Sequence, residues 1–275
     1  MEDKIIEEFI EKVKIASTIQ NNVPIDTIYQ MIDVYDKDYQ RVIYSTEIDN
    51  PLKIALSFYK YYNKSFYKII LYGLKNNMII ISEQSKRSYF NISKNRVVIS
   101  LHENDGDVFT IIHELAHFVD KNSTPQIIPN EYKFFSEVYS FYLEKQFELW
   151  YAKKDYSDII SSKINNRLFL EQELLKAIKN ILYYEYLYNK NGCIEKEAIS
   201  LSTIKIVSLY KTKNDIVNYL LRYPIANIIS DYIINNDLIT PYSIFYQECL
   251  NVDINAALNE FSKKRIIKPN NTRFI

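Results

Sequence analysis

The sequence predicts a mainly α protein with one small antiparallel β-sheet of three or four strands. Three observations predict it. Apolar residues recur at helical spacing along most of the 275-residue chain, as in Ile5, Ile6, Phe9, Ile10 and Val13. That period gives way to short β-branched runs between residues 77 and 102. Glycine is scarce, with 3 residues against about 19 at average usage, so many hairpins are not expected. Neither a dinucleotide nor a phosphate-loop glycine motif is present.

Taken in order, residues 3–19 read as a first helix. A second begins near Pro24-Ile25-Asp26, with proline in its first turn. A third covers 50–73. Met78-Ile79-Ile80-Ile81 reads as a strand, and Tyr89–Ile92 with Arg96–Leu101 read as a hairpin around Ser93-Lys94-Asn95. Asp107 is the expected N-cap of a helix from Val108 to about Lys121. A long helical pattern follows over about 131–153. Beyond Ser157 the chain reads as helical, with breaks near Asn189–Gly192, Lys211–Lys213 and Asn236-Asp237, and the tail after Pro269 reads as frayed. No repeat or long linker divides the chain. The expectation is a single domain over 1–275: N-terminal helices (1–75), a sheet with the site helices (76–153) and a C-terminal helical part (154–275).

The 34 basic and 34 acidic residues cancel, which argues against a general nucleic-acid binder or a protein of anionic membranes. The acidic start has no secretory core, and no apolar run is long enough to span a bilayer, so a cytoplasmic protein is expected. Cys193 and Cys249 are too few to staple this chain and are expected to be free, buried thiols.

The informative segment is His113-Glu114-Leu115-Ala116-His117, an H-E-x-x-H motif on a predicted helix. Residues four apart share a helical face, so both imidazoles can bind one metal ion. Glu114 lies about 100° around the helix, within reach of a water on that ion. Two of the chain's three histidines fall in this motif. A catalytic zinc site needs a third protein ligand and an open position. Glu137 is the candidate, because an acidic group on the aromatic stripe Phe134–Glu144 is costly unless paired or metal-bound. Glu144 lies on the same stripe, as a group behind the ligands or as part of the solvated edge that Lys145 and Glu148 mark.

These residues resemble the gluzincin metallopeptidases. Ser136-Glu137-Val138-Tyr139-Ser140 with Glu144 is similar to the E-x-x-S-x-x-x-E helix of the M3 oligoendopeptidase family, and Tyr219–Ala226 resembles that family's tyrosine-bearing segment. The likeness covers residues 88–150 and, more loosely, 215–232. Ala116 replaces a usual glycine, Asp120 a frequent histidine, and the chain is shorter than the family's. The resemblance implies a zincin-like domain holding one Zn2+ through His113, His117 and Glu137. It implies a peptidase acting on peptide or protein substrates, with Glu114 as general base. Alternatives are a protease with one narrow protein substrate and a non-catalytic, zinc-stabilised interaction protein.

Three further roles complete the reading. Pro224 should bend its helix and aim Tyr223, or Tyr219 one turn earlier, to donate to the oxyanion; core packing is the plain alternative. Asp120 either orients a ligating imidazole or ends the helix in solvent. His102 is a surface residue, a substrate contact or a fourth ligand, and the strand Val97–Leu101 before it is a candidate edge for pairing with an extended substrate.

Overall fold

The computed structural model describes residues 2–16, 22–37, 39–42, 50–82, 88–91, 93–102, 104, 106–123, 135–154, 157–195, 199–209, 215–238 and 245–266. Helices dominate them, and a three-stranded sheet lies against the central helix.

The N-terminal part holds α1 (Glu2–Ala16), α2 (Ile25–Tyr35), α3 (Pro51–Tyr62) and α4 (Lys64–Lys75). The expected third helix is thus two. Asn63 breaks it in an extended conformation, and its side chain accepts hydrogen bonds from the Ser65 and Phe66 amides at 2.9 and 3.2 Å. A strong cap inside an apolar run restarts the helix there. Pro24 stands at the N-cap of α2, just outside the first turn.

The strands are β1 (Ile79–Ser82), β2 (Tyr89–Asn91) and β3 (Arg96–Ser100), in the order β1-β3-β2. The hairpin is present, since β2 runs antiparallel to β3 with Phe90 opposite Val97. β1 runs parallel to β3, with Ile79 opposite Val97, so the sheet is mixed and not antiparallel as expected. The reason is the order: β3 inserts between the two earlier strands, which buries Val97 and Ile99 completely. The same placement corrects the substrate-strand expectation, because β3 is paired on both sides and offers no free edge.

From the sheet the chain enters α5 (Gly106–Ser123). Asp107 lies inside this helix and not at its cap. Its carboxylate reaches back to accept from the His102 amide at 2.9 and 3.0 Å and from the Asn104 amide at 3.3 Å. The Asn104 side chain accepts from the Gly106 amide at 2.8 Å. α5 is buried through Phe109, Ile111, Ile112, Leu115, Ala116 and Phe118, and packs on α3, α4, α6 (Val138–Ala152) and β3.

The C-terminal part comprises α7 (Ser157–Asn191), α8 (Leu201–Leu209), α9 (Ile216–Asn235), α10 (Phe245–Asn251) and α11 (Ile254–Ile266). α7 gives way to Gly192, which takes the left-handed φ of 70° that favours glycine. α9 runs through Pro224 without ending and packs on α6, α7 and α11. One apolar cluster draws buried residues from all three parts of the chain. Both thiols are free. Cys249 is buried, but Cys193 is exposed. No helix among the described residues is long and apolar enough to cross a membrane. The tail after Pro269 lies outside the described residues.

Candidate metal centre

Two elements build the site. α5 carries His113 and His117 one turn apart on one face, with their rings edge to face at 4.8 Å between centroids. α6 lies across that face. Its helix begins at Val138, later than the pattern over 131–153 suggests, and residues 131–134 lie outside the described set. Glu137 therefore sits at the N-cap position, where its backbone carbonyl opens the helix by accepting from the Phe141 amide at 3.0 Å.

Three donor atoms meet between the helices. His113 Nε2 and His117 Nε2 are 3.2 Å apart. Glu137 Oε2 stands 3.4 Å from the first and 3.3 Å from the second. Donors about 2.1 Å from a tetrahedral ion lie about 3.4 Å from each other, so this near-equilateral triangle has the dimensions of a zinc face. Among the described residues these three form a possible metal-binding triad, and the residues fit the ion.

The outer nitrogens of both rings are held by α6. Glu144 Oε1 lies 2.6 Å from His113 Nδ1. An ionised carboxylate only accepts, so Nδ1 carries a proton, and once the ring is neutral its Nε2 lone pair faces the triangle. Ser140 Oγ lies 3.1 Å from His117 Nδ1 and anchors the second ring, although a hydroxyl can donate or accept and does not by itself set the tautomer. Residues 137, 140 and 144 thus serve one centre from one side of α6.

Charge states follow from burial and these contacts. Burial opposes charge on His113, but its bonds to Glu137 and Glu144 overcome this and raise its pKa to about 10. His117 moves the same way: burial resists, and the charge of Glu137 prevails. Burial would also raise Glu137, yet the two histidines hold it well below the usual carboxylate range. Glu144 is lowered too, against its burial, chiefly by Lys163 and His113. Glu114 goes the other way, since burial raises its pKa and the histidines offset this only in part. Its Oε2 is buried with no hydrogen-bond partner among the described residues. Within one centre, two carboxylates are tied up as anions and a third is kept ready for a proton.

The other expected residues are more scattered. Asp120, one turn beyond His117, accepts a 2.6 Å hydrogen bond from the Tyr246 hydroxyl of α10. His102 is exposed at the end of β3. Tyr219 and Tyr223 lie half-buried on α9, edge to face at 6.3 Å, with the Arg222 guanidinium 4.7 Å from the Tyr219 ring. Sequence reasoning did not anticipate Ser140 as a partner of His117, Tyr246 at Asp120, or the basic residues behind Glu144. Only Ser140 carried a signal, as part of the E-x-x-S-x-x-x-E pattern.

Compared with protein-family models, curated proteins and solved structures, the chain has no significant match.

Proposed function

We propose that the protein is a zinc-dependent peptidase in which His113, His117 and Glu137 hold one ion per chain and Glu114 is the general base. The observation that carries this reading is the triangle of two imidazole nitrogens and one carboxylate oxygen, 3.2 to 3.4 Å on each edge. Two histidines and a glutamate are a donor set of catalytic zinc sites, which keep a position open. Structural sites are closed by a fourth cysteine or histidine.

A zinc ion held there supplies Lewis acidity towards water and towards a carbonyl oxygen. The rest falls to the chain's own residues. Burial raises the Glu114 pKa above the ordinary carboxylate value, the direction that suits a group which must take up a proton and hand it on. It takes a proton from the attacking water as the oxygen adds to the peptide carbonyl carbon. It then passes that proton to the amine as the carbon–nitrogen bond breaks. Glu144 and Ser140 keep the imidazoles aimed throughout. Tyr223, with Tyr219 as the alternative, donates a hydrogen bond to the oxyanion. His102 contacts substrate from the end of β3, and the substrate is a peptide or protein, not a nucleic acid.

The test combines metal analysis with peptide digestion by wild type and Glu114→Gln. Both should carry about one zinc per chain, as one three-donor site requires, and only the wild type should cut. Equal cleavage by both removes Glu114 from the chemistry and with it this reading.

A further inference from the structure

Behind Glu144 lies a second row of charges that hydrolysis itself does not use. α7 carries Lys163, Arg167 and Glu171 at i, i+4 and i+8, so they share one face. Lys163 Nζ stands 3.0 Å from Glu144 Oε2, the oxygen not bonded to His113. Arg167 Nη1 is 3.8 Å from the same oxygen and donates to Glu148 Oε1 at 2.9 Å, while Nη2 reaches Oε2 at 3.4 Å. The Glu144 side chain is only 3% exposed, Arg167 8% and Lys163 20%. Aromatic rings flank the two cations: Lys163 lies 5.3 Å from the Phe109 ring and Arg167 5.9 Å from that of Phe141. Phe141 in turn meets His113 edge to face at 5.8 Å.

We infer that Lys163 and Arg167 are positioning residues for the metal centre: they lock the Glu144 carboxylate in the orientation that receives His113 Nδ1–H, and so set how firmly the site holds its ion. The inference rests on reading the triangle as a metal site. A carboxylate held by one oxygen still turns about its broad terminal torsion, whereas one held by both does not. His113 takes one oxygen by a hydrogen bond, and the Lys163 ammonium stands against the other as an ion pair that lacks hydrogen-bond alignment, so its hold is electrostatic. Arg167 is committed to Glu148 through both of its terminal nitrogens, so it backs the clamp but cannot replace Lys163 without giving up those bonds.

Two effects of opposite sign are at stake. Lys163 is a positive charge near the ion, so charge alone predicts tighter zinc binding once it is removed. Loss of orientation predicts weaker binding. Lys163 is already largely neutralised by Glu144 at 3.0 Å. The partners behind a ligating imidazole are worth about 10–100-fold in metal affinity. Orientation therefore wins.

The experiment uses the full chain and zinc itself. Zinc dissociation constants are measured by chelator competition, and the visible absorption of the Co2+-substituted protein is recorded. The proteins are wild type, Lys163→Met and Lys163→Arg, each also with Glu144→Gln, and circular dichroism checks folding. Lys163→Met should weaken zinc binding by up to about tenfold, the lower end of what the partner bonded to the imidazole itself is worth, and alter the Co2+ spectrum. Lys163→Arg should restore both, and Lys163→Met should change nothing once Glu144→Gln is present. If Lys163→Met does not fold, Lys163→Gln takes its place with the same expected outcome. Zinc binding that tightens or stays unchanged in Lys163→Met, while the wild type binds zinc, overturns this inference alone. So does an equal loss in both backgrounds. A wild type that binds no zinc overturns it together with the metal-centre reading.

Discussion

Three glutamates around the triangle show how environment assigns roles to one side-chain type. Glu137 and Glu144 each face imidazoles and are held as anions; Glu114 meets mainly burial and is pushed towards the neutral acid. Carboxyls pushed apart in this way are what a site needs to hold a cation and move a proton at once. At this scale Tyr223 gives the sharpest prediction. Tyr223→Phe keeps the ring and deletes the hydroxyl, so kcat should fall about 100–1,000-fold with zinc content and melting temperature nearly unchanged. Wild-type turnover in Tyr223→Phe, paired with a collapse in Tyr219→Phe, would move the role four residues upstream. That His113, His117 and Glu137 come together was legible in the sequence, because H-E-x-x-H places two histidines on one turn and an acid on an aromatic stripe demands a partner. Lys163 and Arg167 were not. Their i, i+4 spacing matches that of Glu144 and Glu148, but the register of one helix against another is set by packing that no local pattern records.

Among the elements, α5 depends on close approach. A methyl group added at Gly73 of α4 would stand 2.6 Å from two ring carbons of Phe118 and 2.8 Å from Ile79. Phe118 adjoins His117 of the triad, so the glycine lets α4 and β1 press on α5 directly behind the candidate site. Gly73→Ala gains up to about 1 kcal/mol of helix propensity but forces overpacking that costs about 1–3 kcal/mol. The melting temperature should fall, and zinc affinity with it; a more stable variant would show that Phe118 can turn aside freely. Helix existence was read correctly because the apolar period is strong, whereas boundaries moved where polar side chains intervened. Asn63 splits one apolar run by capping, and Asp107 reaches back from inside α5. The few glycines did not prevent turns, since Asn50, Asn77, Asn95 and Asp237 take left-handed conformations with φ between 44° and 55°. Short polar side chains tolerate that region by bonding locally. Strand order was the part that the residues could not convey. Every strand was visible in the pattern, but nothing in Met78–Ile81 or Arg96–Leu101 says that the later strand lies in the middle.

On the scale of the whole molecule, α6 joins the part that bears the triad to the C-terminal helices, and Lys145 crosses that junction. It follows Glu144 in the chain but turns away from the centre towards α9. There its Nζ donates to the Asn227 carbonyl at 2.7 Å and pairs with Asp231. Burial is the main influence and pulls its pKa from 10.5 to about 8, with Asp231 resisting. The sign of the pH effect follows from proton counting. Between about pH 8 and 10.5 the unfolded chain still binds the Lys145 proton while the folded chain has begun to lose it. Stability rises with pH wherever the unfolded state binds more protons. Lys145 thus contributes stability that is fully present above its unfolded pKa and is lost as pH falls through about 8. Buried tyrosines act in the opposite direction at alkaline pH: the Tyr59 phenol is raised by its burial, so its ionisation costs the fold. A comparison with Lys145→Met cancels that contribution, because the tyrosines are common to both proteins. The stability of wild type minus that of Lys145→Met, from urea unfolding at a series of pH values, should therefore climb between pH 8 and 10.5, by on the order of a few kcal/mol. A difference that is flat or falls across that window would mean that Asp231 keeps Lys145 fully charged, and that the junction between the two halves is an ordinary ion pair.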